Sequence, residues 1–254
     1  MSRRTPDGPP PPPVVQRVRI RYAKRGRLRF TSHRDFARAF ERALRRADVP
    51  MGYSAGFTPH PKISYVGASP TGVASEAEYL EIGLARELDV ERLRILLDAA
   101  LPDGLDIVEI VIAGPGSLAE RMEASAWRIE LPGLAEDVVR DAVEQFLARD
   151  EVGIERMTKG GRRTVDVRAA VIRMGVSGAA PEAGSDGRAI IEMVVRQVTP
   201  TVRPDDVVAA LRSVAGLAPV APPLAVRQAQ GPLDEQAVIG DPLAPDRNHA
   251  ATTP

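Results

Sequence analysis

Three histidines occur in the 254 residues, and two of them, His33 and His60, stand outside the C-terminal tail. Imidazole titrates near neutral pH, so two histidines brought together by a fold can act as an acid–base pair. Directed at a ribose and its phosphate, that chemistry cleaves RNA. The same two residues joined by Asp35 or Glu78 would make a metal site. The spacing dictates neither arrangement. Each histidine serves equally well as a hydrogen-bonding loop residue or a phosphate contact. His33 and His60 are therefore candidates in a chain that reads more as a non-enzyme than as an enzyme. No Walker loop, serine nucleophile elbow or HExxH helix is present. The chain has no cysteine, which removes a thiolate nucleophile, a disulfide framework, a Cys-ligated zinc and a self-held iron–sulfur cluster. Gly114-x-Gly116-x-x-Ala119 has the form of a dinucleotide-binding turn, but Pro115 lies within it and it follows the last strand of a unit. It reads as a linker, and neither a cofactor nor a metal is expected.

Phosphate recognition is the other chemistry on offer. Arg34, Arg38, Arg42 and Arg45 recur at helical spacing, and Lys62 follows His60 in the run Gly56-Phe57-Thr58-Pro59-His60-Pro61-Lys62-Ile63-Ser64-Tyr65. Prolines on both sides of His60 restrict the backbone, and a preorganised loop loses less entropy on binding. The formal net charge is zero, yet residues 1–64 hold 15 Lys+Arg against 4 Asp+Glu, a balance of +11, and the other 190 residues carry −11. Eight of the ten aromatic residues lie between Tyr22 and Tyr79. Arginine interleaved with aromatics suits a surface that grips phosphates and stacks bases. The RNA-binding candidates are Arg34, Arg38, Arg42, Arg45, His60, Lys62 and Tyr65. Three blander readings stand beside this one. The stripe is a solvated helix face, the loop is a structural connection, and the 31 arginines among 34 basic residues reflect coding bias.

These residues need elements to carry them. Residues 14–22 alternate Val15, Val18 and Ile20 with Arg17, Arg19 and Arg21, close to the period of a strand. Ser32-x-x-Asp35 then resembles a capping box and opens a helix over 32–47. Phe36, Ala39, Phe40, Ala43, Leu44 and Ala47 form its apolar face, with the arginines opposite. Strands follow at 51–57, 63–66 and 77–84, a helix at 90–101 and a strand at 105–113, giving the order β-α-β-β-α-β. The order then repeats. A strand at 127–131 and a helix at 134–147 precede a hairpin of 152–158 with 164–174. A loop at 175–188, a strand at 189–198, a helix at 204–214 opened by Pro204 and a strand within 217–227 complete it. The fold class is α+β, two tandem ferredoxin-like (βαββαβ) units with disordered Pro-rich termini. The expected boundaries are a disordered Pro-rich N-terminus at 1–13, a basic unit at 14–113 and a linker at 114–125. An acidic unit at 126–227 and a disordered tail at 228–254 follow. No apolar segment reads as a signal peptide or a membrane span, so a cytoplasmic protein without membrane contact is expected.

Three stretches together resemble a known family. They run from Arg29-Phe30-Thr31-Ser32-His33-Arg34-Asp35-Phe36 through Ala47, over Tyr53-Ser54-Ala55-Gly56-Phe57-Thr58-Pro59-His60-Pro61-Lys62, and over Gly72-Val73-Ala74-Ser75-Glu76-Ala77-Glu78-Tyr79. The chain is similar over about residues 15–215 to the radical-SAM-associated proteins known as DUF2344, most specifically at 29–80. The resemblance implies a domain that occurs alone or fused behind a radical SAM protein. Its genes often lie near those for ribonuclease E/G and ribosomal proteins. It brings no established activity, so only the motif carries over: Ser32, His33, Asp35, Phe57, Pro59, His60, Pro61 and Lys62. Without cysteine, any radical chemistry must come from a partner chain. The reading that follows is a non-catalytic RNA-binding accessory, for tRNA or rRNA, to an RNA-modifying radical SAM enzyme. A His-dependent RNA-processing enzyme and a protein-binding scaffold in RNA metabolism are the alternatives.

Overall fold

The structure, a computed structural model, describes residues 11–158, 161–178 and 188–252. It is a mixed α+β protein whose chain divides into two compact units, residues 1–120 with 242–254 and residues 121–241. Most of the Pro-rich N-terminus, 1–10, lies outside the described residues.

In the first unit, β1 (Gln16–Lys24) forms where the sequence alternation predicts a strand, though it is buried on both faces over much of its length, Arg19, Ala23 and Lys24 included. Val18, Ile20 and Tyr22 are buried in one core with Phe40, Leu80, Ile82 and Leu97. The helix α1 (His33–Arg46) begins at Ser32, whose Oγ accepts from the Asp35 amide at 3.2 Å and donates to Asp35 Oδ2 at 2.7 Å. A glutamate there would reach back to the cap's own amide, whereas the shorter aspartate takes the hydroxyl proton. At the other end Asp48 turns left-handed (φ 49°), the Val49 amide donates to the Leu44 carbonyl, and Pro50 follows. The strand expected at 51–57 does not form. Only isolated bridges, Met51 to Leu84 and Tyr53 to Pro61, occur there. Prolines 59 and 61 supply no amide hydrogens to a ladder, and the segment closes on itself as a loop. Next come β2 (Ile63–Val66), β3 (Ala74–Leu84), α2 (Val90–Ala100) and β4 (Leu105–Ile112). All pairs are antiparallel. β1 lies between β4 and β3, and β2 runs along the far edge of β3.

The second unit contains β5 (Ala124–Pro132), α3 (Glu136–Leu147), β6 (Gly153–Thr158), β7 (Gly161–Asp166), β8 (Val171–Gly178), β9 (Arg188–Arg196), α4 (Pro204–Ala215) and β10 (Leu224–Gly231). Its sheet order is β10-β5-β9-β8, while β6 and β7 pair apart from it. The strand expected at 164–174 is thus two strands, divided by the turn at Val167–Ala170, where the Arg168 and Ala169 amides donate to Asp166. This unit holds one hairpin more than a βαββαβ order contains. The expected loop at 175–188 opens as strand, since β8 continues to Gly178. Residues 179–187, and Lys159 and Gly160 of the expected hairpin turn, lie outside the described residues. The hairpin is tied to α4 by Arg156, which donates to Asp206 Oδ2 at 2.8 Å, and Asp206 also caps the helix by accepting from the Arg203 amide.

The expected linker and tail are corrected. Leu118 and Met122 are buried, so 114–125 is packed chain rather than a free connection. In place of a disordered tail, β10 extends to Gly231, Leu233 bridges Ile239, and a last helix, α5 (Ala244–Thr252), returns to the first unit. There Asp246, completely buried, accepts from Arg19 Nη1 at 2.6 Å and from the Gly114 amide at 2.9 Å. The Gly116 carbonyl accepts from Arg19 as well. Burial alone would lower the Arg19 pKa, but its hydrogen bonds to Asp246 and Glu81 outweigh that and raise it.

Candidate nucleic-acid interface

Helix α1 buries Phe36, Phe40, Ala43 and Leu44 and turns Arg34, Arg38, Arg42 and Arg45 outward, all four exposed. Arg34, Arg38 and Arg42 each follow by one turn, about 6 Å along the axis. Among the described residues these three form no ion pair, and Arg45 meets Glu41 only at 3.9 Å between exposed groups. Such a contact is worth little. Arg46, beside them, donates to the Ala100 carbonyl at 3.1 Å.

The basic character of the early sequence does not survive folding at full strength. Arg17 and Arg19 pair with Glu81, and Arg25 pairs with Glu76 and Asp106. Hydrogen bonding to Glu76 first, and to Asp106 after it, holds the Arg25 pKa well above its ordinary value. By unit, the first has 19 Lys+Arg against 16 Asp+Glu and the second 15 against 18. The contrast of +11 and −11 along the sequence becomes +3 and −3, so the α1 stripe, not the bulk charge, is the cationic feature of the helix side.

The sequence candidates fall on two sides of the first unit's sheet. His33, the first residue of α1, is exposed and sets its ring edge-on to Tyr65 at 4.7 Å. Tyr65 also meets Phe36 edge-on at 6.0 Å. Its phenol oxygen is buried without a hydrogen-bond partner, and burial, with a smaller push from the Glu41 charge, raises its pKa to about 12. Tyr65 is half-buried and packs against His33 and Phe36. The exposed aromatics of this region are Phe30, stacked under Arg29 at 4.7 Å, with Tyr53 and Phe57.

On β2, Ile63 and Tyr65 pack toward the helices, so Lys62 and Ser64 occupy the other face. His60 lines a cleft there with Arg17, Ser54, Lys62, Ser64 and Glu81. The loop is fixed by Ser54, whose amide donates to the His60 carbonyl at 2.8 Å and whose Oγ accepts from the His60 amide at 3.0 Å. His33 and His60 are therefore not one acid–base constellation. The metal arrangement fails in the same way. Asp35 caps α1, and Glu78 is buried, accepting from the Ser69 amide at 3.0 Å. Among the described residues no group of three or more His, Asp or Glu could hold a metal ion. Gly114 and Gly116 bind Asp246 and Arg19 rather than lying open at a helix start. Sequence reasoning missed Arg17, which the sheet register alone brings beside Lys62.

Among the described residues no helix is long and apolar enough to cross a membrane. A crystal structure described as that of an unknown protein from Galdieria sulphuraria is similar at 14% identity, covering 78% of this chain and 91% of that one, with a TM-score of 0.25. No curated protein matches. The model of an uncharacterized protein family conserved in bacteria, DUF2344, matches residues 17–204, and the chain belongs to that family.

Proposed function

We propose that this chain is a non-catalytic, cytoplasmic RNA-binding protein that serves an RNA-modifying radical SAM enzyme as an accessory. The observation that carries RNA binding is the outward face of α1, where Arg34, Arg38 and Arg42 stand exposed with no acidic partner among the described residues. An arginine held in no ion pair keeps its donors for phosphate oxygens. Phe30, 60% exposed and next to the start of α1, offers a ring for a base. We read both units as ferredoxin-like, the second enlarged by the β6–β7 hairpin; the strand orders β4-β1-β3-β2 and β10-β5-β9-β8 support this reading. The radical chemistry belongs to a partner, because this chain has no cysteine with which to hold a cluster.

The test is binding of tRNA and of rRNA fragments across a salt series. Each phosphate contact contributes about 0.7–0.9 to the slope of log K against log salt. Replacing Arg34, Arg38 and Arg42 with Ala should reduce the slope by about 2. An unchanged slope, or binding indifferent to salt, refutes the assignment. Capture of a radical SAM enzyme that persists after RNase treatment supports the partnership, and its absence from such captures counts against it.

A further inference from the structure

We propose that the cleft on the face of the first unit's sheet opposite α1 and α2 is a binding site for a phosphate monoester of mononucleotide size. The register places Arg17 opposite Gly83, and the Gly83 amide donates to the Lys62 carbonyl at 3.0 Å on the other side. Arg17, Gly83 and Lys62 thus form one row across three strands. The two cations flank a residue without a side chain, with α-carbons about 10 Å apart. Side chains as long as these converge on a single phosphate from that separation.

The floor and the far wall are rigid. Val14 rests on two glycines. A Cβ on Gly83 would fall 2.9 Å from Val14 Cγ2, and one on Gly52 would fall 2.6 Å from it. Gly52 in turn donates to the Gly83 carbonyl at 2.7 Å and accepts from the Lys62 amide at 2.8 Å. This close approach of backbones fixes the base of Lys62. The wall is the loop bearing Ser54 and His60, locked by the two hydrogen bonds between those residues. Ser54 Oγ is already an acceptor there, so its own proton is directed elsewhere.

Charge and size set the class of ligand. Glu81 is shared between Arg17 at 3.4 Å and Arg19 at 3.0 Å. Lys62 is exposed and forms no ion pair among the described residues. The cleft therefore keeps a surplus cation beside an imidazole and two serine hydroxyls, which complements the charge of about −1.5 to −2 on a phosphate monoester at neutral pH. Its volume of about 320 Å³ lies at the small end of ligand sites. A terminal phosphate on an RNA chain shares this chemistry with a free mononucleotide. The site does not depend on the α1 face, which lies on the other side of the sheet.

The experiment is calorimetric titration of the full chain with AMP, adenosine and inorganic phosphate. An oligoribonucleotide with a 5′-phosphate or a 5′-hydroxyl forms the second arm. AMP should bind and adenosine should not. Loss of one charge-assisted contact should weaken binding about tenfold or more in Lys62→Ala and in Arg17→Ala, with Lys62→Arg restoring most of it. Binding of only the 5′-phosphorylated oligonucleotide, again lost in Lys62→Ala, identifies an RNA end as the source. Equal binding of adenosine and AMP overturns the proposal. So does binding of neither phosphate form, or affinity within twofold of the parent in both alanine variants of unchanged thermal stability. The mononucleotide arm reads the cleft whether or not α1 holds RNA.

Discussion

Replacing Asp246 with Ala removes a buried carboxylate that joins the last helix to the first strand. Arg19 Nη1 at 2.6 Å and the Gly114 amide at 2.9 Å both lose their acceptor. Arg19 is only 2% exposed, so water cannot replace the missing charge. Breaking a buried ion pair by deleting one partner costs about 3–5 kcal/mol. Arg19 keeps Glu81 at 3.0 Å, which favours the low end, about 3 kcal/mol. With a urea dependence of about 1.5 kcal/mol per M, the unfolding midpoint should fall by about 2 M. All four tyrosines lie in the first unit, so the near-ultraviolet tyrosine signal follows the transition where the damage is. Asp246→Asn retains an oxygen for the Gly114 amide and loses the charge, and should fall by about half as much. A midpoint shift below about 0.3 M in Asp246→Ala, or identical shifts in the two variants, would refute the account of a charged clamp.

Tyr65→Phe should stabilise the protein by about 1 kcal/mol in the same urea assay, because it deletes a buried hydroxyl that has no partner; a loss of stability would show a hydrogen bond there. In a spectrophotometric pH titration one phenol, absent in Tyr65→Phe, should ionise late, at about 12. Since folding raises that pKa above its ordinary value of 10.0, the unfolded chain ionises first. The contribution is fully present below pH 10 and is lost as pH rises toward 12. Ser32→Ala should cost about 1 kcal/mol through the lost cap of α1, and Ser32→Thr, which keeps a hydroxyl to accept from the Asp35 amide and donate to its carboxylate, should recover most of it.

The parts of the fold legible in the sequence are those specified over a few residues. Ser32, Asp35 and the spacing of Phe36, Phe40 and Ala43 marked α1, and alternation marked β1. Pro204 did the same for α4. Residues 51–57 misled because Met51 and Tyr53 alternate like strand residues, while the prolines that decide the geometry lie beyond them. What was illegible is set at long range. Arg25 meets Glu76 51 positions away and Arg19 meets Asp246 227 positions away, so a charge count by segment could not foresee which cations stay unpaired. Arg17 and Lys62 belong to one cleft only through the register of three strands, and Tyr65, nominated as a ring for bases, is spent on packing against His33 and Phe36. Helix α5 carries no apolar stripe and is tied to the first unit by polar contacts such as Asp246 with Arg19 and Arg247 with Glu109.

The discontinuity of the first unit orders events on the ribosome. Residues 1–120 emerge first, but the helix that completes them follows all of 121–241. At about 5–20 residues per second, roughly 125 residues of synthesis separate the two, an interval of about 6–25 s. Throughout it Arg19 has Glu81 but lacks Asp246, and the sheet face opposite α1 and α2 stands uncovered where α5 will later sit. The second unit, contiguous in sequence, can fold in full during that wait. Residues 242–252 act as the closing segment of the first unit, so that unit is completed at β1, the first of its strands to be made.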